Sequence, residues 1–275
     1  IMARVLEVCR SGYYAWLKRK PADREVLDIV LKALILTAHK RSRETYGTLR
    51  IQAELASLDH HAGRDHISRL RKELKLRCRQ RRKFTATTNS KHNFPVVPNL
   101  LDQKFDIPEP GMVWGTDITY IPTDEGWLYL AGVKDFGSRE IVGFAMDKRM
   151  TQELTREALR KALSFRKPLD GCIHHSDRGS QYCAHEYQGD VKKAGLIASM
   201  SRKGNCYDNA PTESFWGSLK QELVHHYHFK TRAAAQAAIQ EYIAIFYNRM
   251  RRHSSIGYMA PSIYAESFNR EKKSA

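Results

Sequence analysis

The chain has 275 residues, with 46 Lys and Arg against 30 Asp and Glu, a net charge of +16 and 42% hydrophobic residues. That apolar content is enough for a core at this length, and 16 Gly with 9 Pro exclude a collagen-like or low-complexity chain. No uninterrupted apolar run reaches the roughly 18 residues of a membrane-spanning helix. The opening IMARVLEVCRSGYY has no cationic region leading into an apolar stretch, so no secretory signal is read there. Cys9, Cys78, Cys172, Cys183 and Cys206 are odd in number, scattered and without a C-x-x-C pair. They argue against a disulfide framework or a cysteine zinc site, and for a reducing compartment. The expectation is a soluble, cytoplasmic, basic protein of one or two domains, with no membrane partner.

Residues 23–38 read as a helix, with Val26, Ile29, Val30, Ala33 and Leu34 at three- and four-residue spacing and acids at its start. Residues 46–58 read as a second amphipathic helix. After the polar connection DHHAG, RDHISRLRKELKL places Ile67, Leu70 and Leu74 on one stripe. Two short helices joined by a short turn, the second basic, fit a helix-turn-helix, although any small helical hairpin looks similar.

The charge is regional. Residues 1–100 carry 22 Lys and Arg against 9 acids, and the peak, Arg69 to Lys83, has nine basic residues in fifteen. Such a one-sided block repels itself unless a polyanion neutralises it. The candidate nucleic-acid contacts are Arg64, Arg69, Arg71, Lys72, Lys75, Arg77, Arg79, Arg81, Arg82 and Lys83. A solvated, highly charged helix is the plain alternative.

Residues 84–110 hold Pro95, Pro98, Pro108 and Pro110 with little periodicity and read as a linker. Beyond them the pattern turns to strands. MVWGTDITYIP (112–122), WLYLAGVKD (127–135) and REIVGFAMD (139–147), with short turns, make an antiparallel meander. TQELTREALRKALSF (151–165) is a helix that Thr151 can cap. GCIHHSD (171–177) is a short buried strand, EYQGDVKKAG a helix and LIASM (196–200) a fifth strand. Residues 211–224 and 231–248 read as two long helices. The predicted fold class is α/β, a mixed five-stranded sheet flanked by helices and preceded by an all-α region.

Three carboxylates stand out. Asp117 lies mid-strand, where a charge needs compensation. Asp177 ends a strand, where sites gather in α/β sheets. Glu213 sits in the first turn of a helix. Taken singly, each has an ordinary reading, as a turn cap, an N-cap and a capping-box acid. On that helix Phe215, Leu219 and Leu223 form the apolar stripe, while Lys220, seven residues after Glu213, returns to within roughly 20° of it. Phosphodiester transfer needs an activated attacking oxygen and a stabilised leaving oxygen, which two Mg²⁺ ions about 4 Å apart supply. Hard cations take oxygen ligands. The run His225, His226 and His228 is read as solvated helix-end residues.

Between Asp177 and Glu213 lie 35 residues. That spacing resembles the D,D(35)E signature of retroviral integrases and bacterial insertion-sequence transposases. So do the strings WGTDITYI (114–121), HSDRGSQY (175–182) and NAPTESFWGSLKQEL (209–223). The closing FYNRMRRHSSIGYMAP (246–261) resembles the family's last motif, with Ile256 where leucine is usual. The resemblance spans roughly 5–268 and is closest to the OrfB-type, second-reading-frame proteins.

The resemblance implies a ribonuclease-H-like core with Asp117, Asp177 and Glu213 as catalytic metal ligands for two Mg²⁺ ions, or Mn²⁺ in their place. Lys220 would be a catalytic-site contact to DNA near the scissile phosphate. It implies a polynucleotidyl transferase in which a 3′-hydroxyl at an element end attacks another phosphodiester. The expected organisation is a helical segment at 1–42, a helix-turn-helix region at 43–83, a linker at 84–110, an integrase-like core at 111–268 and a tail at 269–275. DNA ends and target DNA are the expected partners, with a homo-oligomer by analogy and nucleoid association in the cytoplasm. Because the chain begins with Ile1, fusion to or partnership with an upstream-frame protein is also expected. The His/His/Cys/Cys zinc pattern of retroviral integrases is not seen near Ile1. The competing readings are a non-catalytic DNA-binding regulator and a nuclease that only hydrolyses.

Overall fold

The computed structural model describes residues 9–20, 22–79, 96–202 and 206–274. The chain divides into two compact units, Ile1–Cys78 and Arg79–Ala275.

The first unit holds α1 (Arg10–Leu17), α2 (Asp23–Arg41), α3 (Thr48–Ala56) and α4 (Arg64–Glu73). Leu31 and Ile35 of α2, Ile51 and Leu55 of α3, and Ile67 and Leu70 of α4 close one small core with Tyr46. The expected stripe on α2 is displaced. Val26, Ile29, Val30 and Ala33 are exposed, and the buried positions are Leu31, Ile35, Ala38 and His39, because α3 and α4 meet the face of the helix that carries Asp28, Leu31 and Ile35. Since α2 packs on both later helices, the expected boundary at residue 42 falls inside one shared core.

The second unit is built on a five-stranded sheet in the order β3-β2-β1-β4-β5. β1 (Val113–Ile121), β2 (Leu128–Asp135) and β3 (Ile141–Asp147) form the antiparallel meander. β4 (Ile173–Ser176) and β5 (Ile197–Met200) add in parallel. On one face, α5 (Gln152–Phe165) packs Leu154, Ala158, Leu159 and Ala162 against Ala131, Val133, Val142 and Ala145. A β-carbon at Gly143 would collide with the backbone of Ala158 and Ala162, so glycine is what lets α5 lie this close. Thr151 stands at the N-cap of α5 with extended backbone but makes no side-chain cap bond. α6 (Ser180–Cys183) and α7 (His185–Lys193) complete that layer with Tyr182, Tyr187 and Val191.

On the other face lie α8 (Ala210–Glu222) and α9 (Arg232–Glu241), with Phe215, Trp216, Leu219 and Ile239 against Ile121, Leu128 and Leu130. The second expected long helix is thus α9 running into a π-helical stretch, Tyr242–Met250. The expected tail is helical: α10 (Pro261–Ser274) continues through 269, and Lys272 pairs with Glu109 at 2.7 Å.

Residues 96–110, expected as linker, are anchored to the sheet. Leu101, Phe105 and Ile107 pack with Val113 and Phe136, and Leu100 N donates to Ser199 Oγ at 2.9 Å. Their apolar residues are aperiodic because the segment follows the sheet edge rather than forming an element of its own. Residues 84–95 lie outside the described residues.

The closing motif is structural. Asn248 Oδ1 accepts from Ile141 N at 3.0 Å and its Nδ2 donates to Ile141 O at 2.9 Å. Arg251 meets the buried Glu222 at 2.7 Å, and Tyr242 OH donates to the same carboxylate at 2.8 Å. Gly257 and Tyr258 both take left-handed backbone there.

Candidate active site

β1 and β4 pair in parallel from Val113↔Ile173 to Gly115↔His175. The same offset carries Asp117 opposite Asp177, two residues past the last pair, where β4 has already ended. Partners in a parallel register point to the same side of strands about 4.8 Å apart. Asp177 Oδ1 accepts from Gly179 N at 2.8 Å, which fixes the turn leaving β4. His175, beside it on β4, is kept neutral by burial between Ser199 and Ser201.

Glu213 is brought up by the start of α8. Asn209 Nδ2 donates to Thr116 O at 3.2 Å, and the buried Lys134 Nζ donates to Pro211 O at 2.7 Å. Burial, then the fields of Arg139 and Arg251, push Lys134 down to about 7. A side chain at Gly115 would run into Phe136 and Thr212, so the first turn of α8 presses on β1 two residues from Asp117.

The three acids feel one another. Asp117 is pushed up to about 8, first by loss of hydration, then by the negative field of Asp177, with Glu213 adding less. The Ile118 N–H at 2.8 Å and the Trp216 Nε1–H at 3.0 Å oppose that rise. Burial and Asp177 also raise Glu213, which stands exposed at the rim. Lys220 lies half-buried in α8. Burial lowers its pKa and Asp117 raises it, and its Nζ sits 5.3 Å from the centroid of the Tyr120 ring. The four expected catalytic residues therefore share one neighbourhood. Among the described residues no group of three His, Cys, Asp or Glu side chains is already closed around a metal position, the three acids and the histidine run included. The donors that the three acids offer are all hard carboxylate oxygen, which fits a divalent cation such as Mg²⁺.

Sequence reasoning missed two residues here. Trp216 bonds Asp117, and Gly132, opposite Asp117 on β2, leaves room for its ring; a β-carbon there would lie 2.8 Å from Trp216 Cη2. Asp208, fully buried, accepts from Arg202 N at 2.7 Å, Gln103 Nε2 at 2.9 Å and Asn99 Nδ2 at 3.0 Å. The Arg202 guanidinium holds it far below the usual carboxylate range. It ties residues 99–103 to the approach into α8. Its place just ahead of Asn209 in YDNAP was the one available signal.

The described candidate DNA-contact residues divide in two. Arg69 is engaged by Asp28 at 2.7 Å and Glu73 at 2.6 Å, and Arg71 bonds Thr48 Oγ1 at 2.8 Å. Arg64, Lys72, Lys75, Arg77 and Arg79 are exposed. Arg81, Arg82 and Lys83 lie outside the described residues.

The Integrase core domain family matches residues 108–206 and again 194–261, and the HTH-like domain family matches 27–84. The chain is 57% identical over 268 residues to the insertion element IS600 uncharacterized 31 kDa protein of Shigella sonnei, covering 98% of each. It is 42% identical over 262 residues to the transposase InsF for insertion sequence IS3A of Escherichia coli (strain K12), covering 94% of this chain and 91% of that one. The chain belongs to the insertion-sequence transposase family with an integrase core. This transposase core also shares its fold with a chain of the simian T-cell lymphotropic virus intasome, solved by cryo-EM in complex with PP2A regulatory subunit B56 gamma. That match has a TM-score of 0.50 at 17% identity, covering 78% of this chain and 70% of that chain. Among the described residues of the transposase, no helix is long and apolar enough to cross a membrane.

Proposed function

We propose that the chain cleaves and joins DNA strands at the ends of an insertion element, with Asp117, Asp177 and Glu213 holding two Mg²⁺ ions, or Mn²⁺ in their place. The observation that carries this reading is the convergence of three carboxylates delivered by β1, the end of β4 and the first turn of α8, with Asp117 opposite Asp177 in the strand register. Burial first and then their neighbouring charges raise Asp117 and Glu213, and a divalent cation binds such carboxylates by displacing their protons. When bound, the ions would lower the pKa of an attacking hydroxyl and stabilise the leaving oxygen.

The protein's own groups do the rest. Trp216 and the Ile118 N–H orient Asp117, the Gly179 N–H orients Asp177, and Asn209 with Lys134 fixes the helix start that carries Glu213. Lys220 offers a cation beside the acids for a DNA phosphate. In the joining step a 3′-hydroxyl oxygen bonds to phosphorus as the bond to the leaving 3′-oxygen breaks; the proton of the attacking oxygen is lost and the leaving oxygen gains one.

The helical unit, through Arg64, Lys72, Lys75 and Arg77, together with Arg79, Arg81, Arg82 and Lys83 that follow it in sequence, is the DNA-holding part of this reading, with a homo-oligomer and an upstream-frame partner or fusion as its companions at the nucleoid. The test is a joining assay on the element's own ends, with and without the upstream frame. Asp117→Asn, Asp177→Asn or Glu213→Gln should each abolish joined product while leaving DNA binding intact. Joined product from any of the three would overturn the assignment, and nicked ends alone would favour a hydrolytic nuclease.

A further inference from the structure

Beyond Asp117, β1 no longer has β4 beside it, and the free end of the strand presents an aromatic pair. Tyr120 is half-buried, and Trp127, just before β2, is 49% exposed. Their rings meet edge to face with centroids 4.8 Å apart. Lys220 Nζ lies 5.3 Å from the Tyr120 centroid and in the field of Asp117. The Lys220 cation and the exposed Trp127 ring thus both lie against Tyr120.

We propose that Trp127, Tyr120 and Lys220 form a stacking platform for one unpaired nucleobase of the DNA strand entering the carboxylate site. The assignment rests on the DNA-strand reading above and deepens it. Exposed aromatic faces beside a cation are what single-stranded nucleic acid uses, since every base offers a π-face. Asp124 pairs with His228 at 2.9 Å, Glu125 accepts from Arg232 N at 2.8 Å and the Arg232 guanidinium donates to the Glu125 carbonyl, so the acids of this turn are already engaged. The base lies on Trp127 with its phosphate toward Lys220, the cation on the carboxylate side of Tyr120. Arg232 Nε also donates to Trp127 O at 3.0 Å, which steadies the backbone beneath the ring.

The test uses the full chain with Mg²⁺ and two probes, a blunt duplex and the same duplex with a three-nucleotide overhang carrying 2-aminopurine at the first unpaired position. Wild type should quench the 2-aminopurine and prefer the overhang. Trp127→Ala should lose the quenching and bind the overhang about tenfold more weakly, the scale of one base unstacked, with blunt-duplex affinity unchanged. Trp127→Phe should keep most of both. Unchanged quenching in Trp127→Ala, or equal loss in Trp127→Phe, overturns the platform while leaving the wider reading intact. Wild type that binds neither probe overturns the DNA-strand reading itself, and the platform with it.

Discussion

The indole N–H of Trp216 donates to Asp117 Oδ2 across 3.0 Å, tying the helix that carries Glu213 to the strand that carries Asp117. Trp216→Phe keeps the ring in its place over Gly132 and removes only that donor. Strand joining should fall roughly tenfold to a hundredfold, the usual effect of losing a group that orients a metal-binding carboxylate. The half-saturating Mg²⁺ concentration should rise with it. A variant with unchanged Mg²⁺ requirement would remove Trp216 from the role.

Asp117 gives the metal-free protein a signature in pH. Its folded pKa is raised from 3.8 to about 8, so between those values the folded state keeps a proton that the unfolded chain has released. Stability therefore falls as pH rises across that window. Thermal unfolding in chelator between about pH 5 and pH 9 should show the decline, Asp117→Asn should flatten it, and Mg²⁺ should reverse it at the alkaline end. A melting temperature that climbs through the window in chelator would contradict the shift.

Glu222 and Arg251 are both nearly inaccessible and paired at 2.7 Å. Arg251→Met leaves a buried carboxylate without its cation and should lower folding stability by about 3–5 kcal/mol. Adding Glu222→Gln in the same chain should recover part of that loss, as read by urea unfolding. Single and double variants of equal stability would show the pair to be energetically idle.

On α4 and just after it, Arg69 and Arg71 are engaged within the unit, while Lys72, Lys75 and Arg77 are exposed. Neutralising Lys72, Lys75 and Arg77 together should make the log–log dependence of DNA affinity on salt shallower by about 0.9 for each phosphate no longer neutralised. The melting temperature should hold. Arg71→Met should do the opposite, since its guanidinium is occupied by Thr48 and the Tyr46 carbonyl. An unchanged salt slope in the triple variant would move the DNA surface elsewhere.

Most of the sheet was legible because its strands have turn signals at both ends and β-branched or aromatic interiors. The three acids and Lys220 are proposed from spacing and resemblance, and the structure adds the register that sets Asp117 opposite Asp177. What could not be read depends on neighbours distant in sequence. The buried stripe of α2 is decided by which of its faces α3 and α4 meet, and periodicity alone does not choose between them. Residues 96–110 look like linker because their anchors, Ser199 and Asp208, lie about a hundred positions away. Trp216 looked like one more core aromatic, and only the placement of Asp117 gives its N–H a purpose.

Asn248 bears on how molecules of this chain meet each other. β3 lies at the outer margin of the sheet, where exposed backbone amides and carbonyls would template a strand from another molecule. By taking both the N–H and the carbonyl of Ile141, one carboxamide imitates a neighbouring strand at the place where that recruitment would start. At Ile141 it fills the pairing positions that a recruited strand would need, without adding a strand.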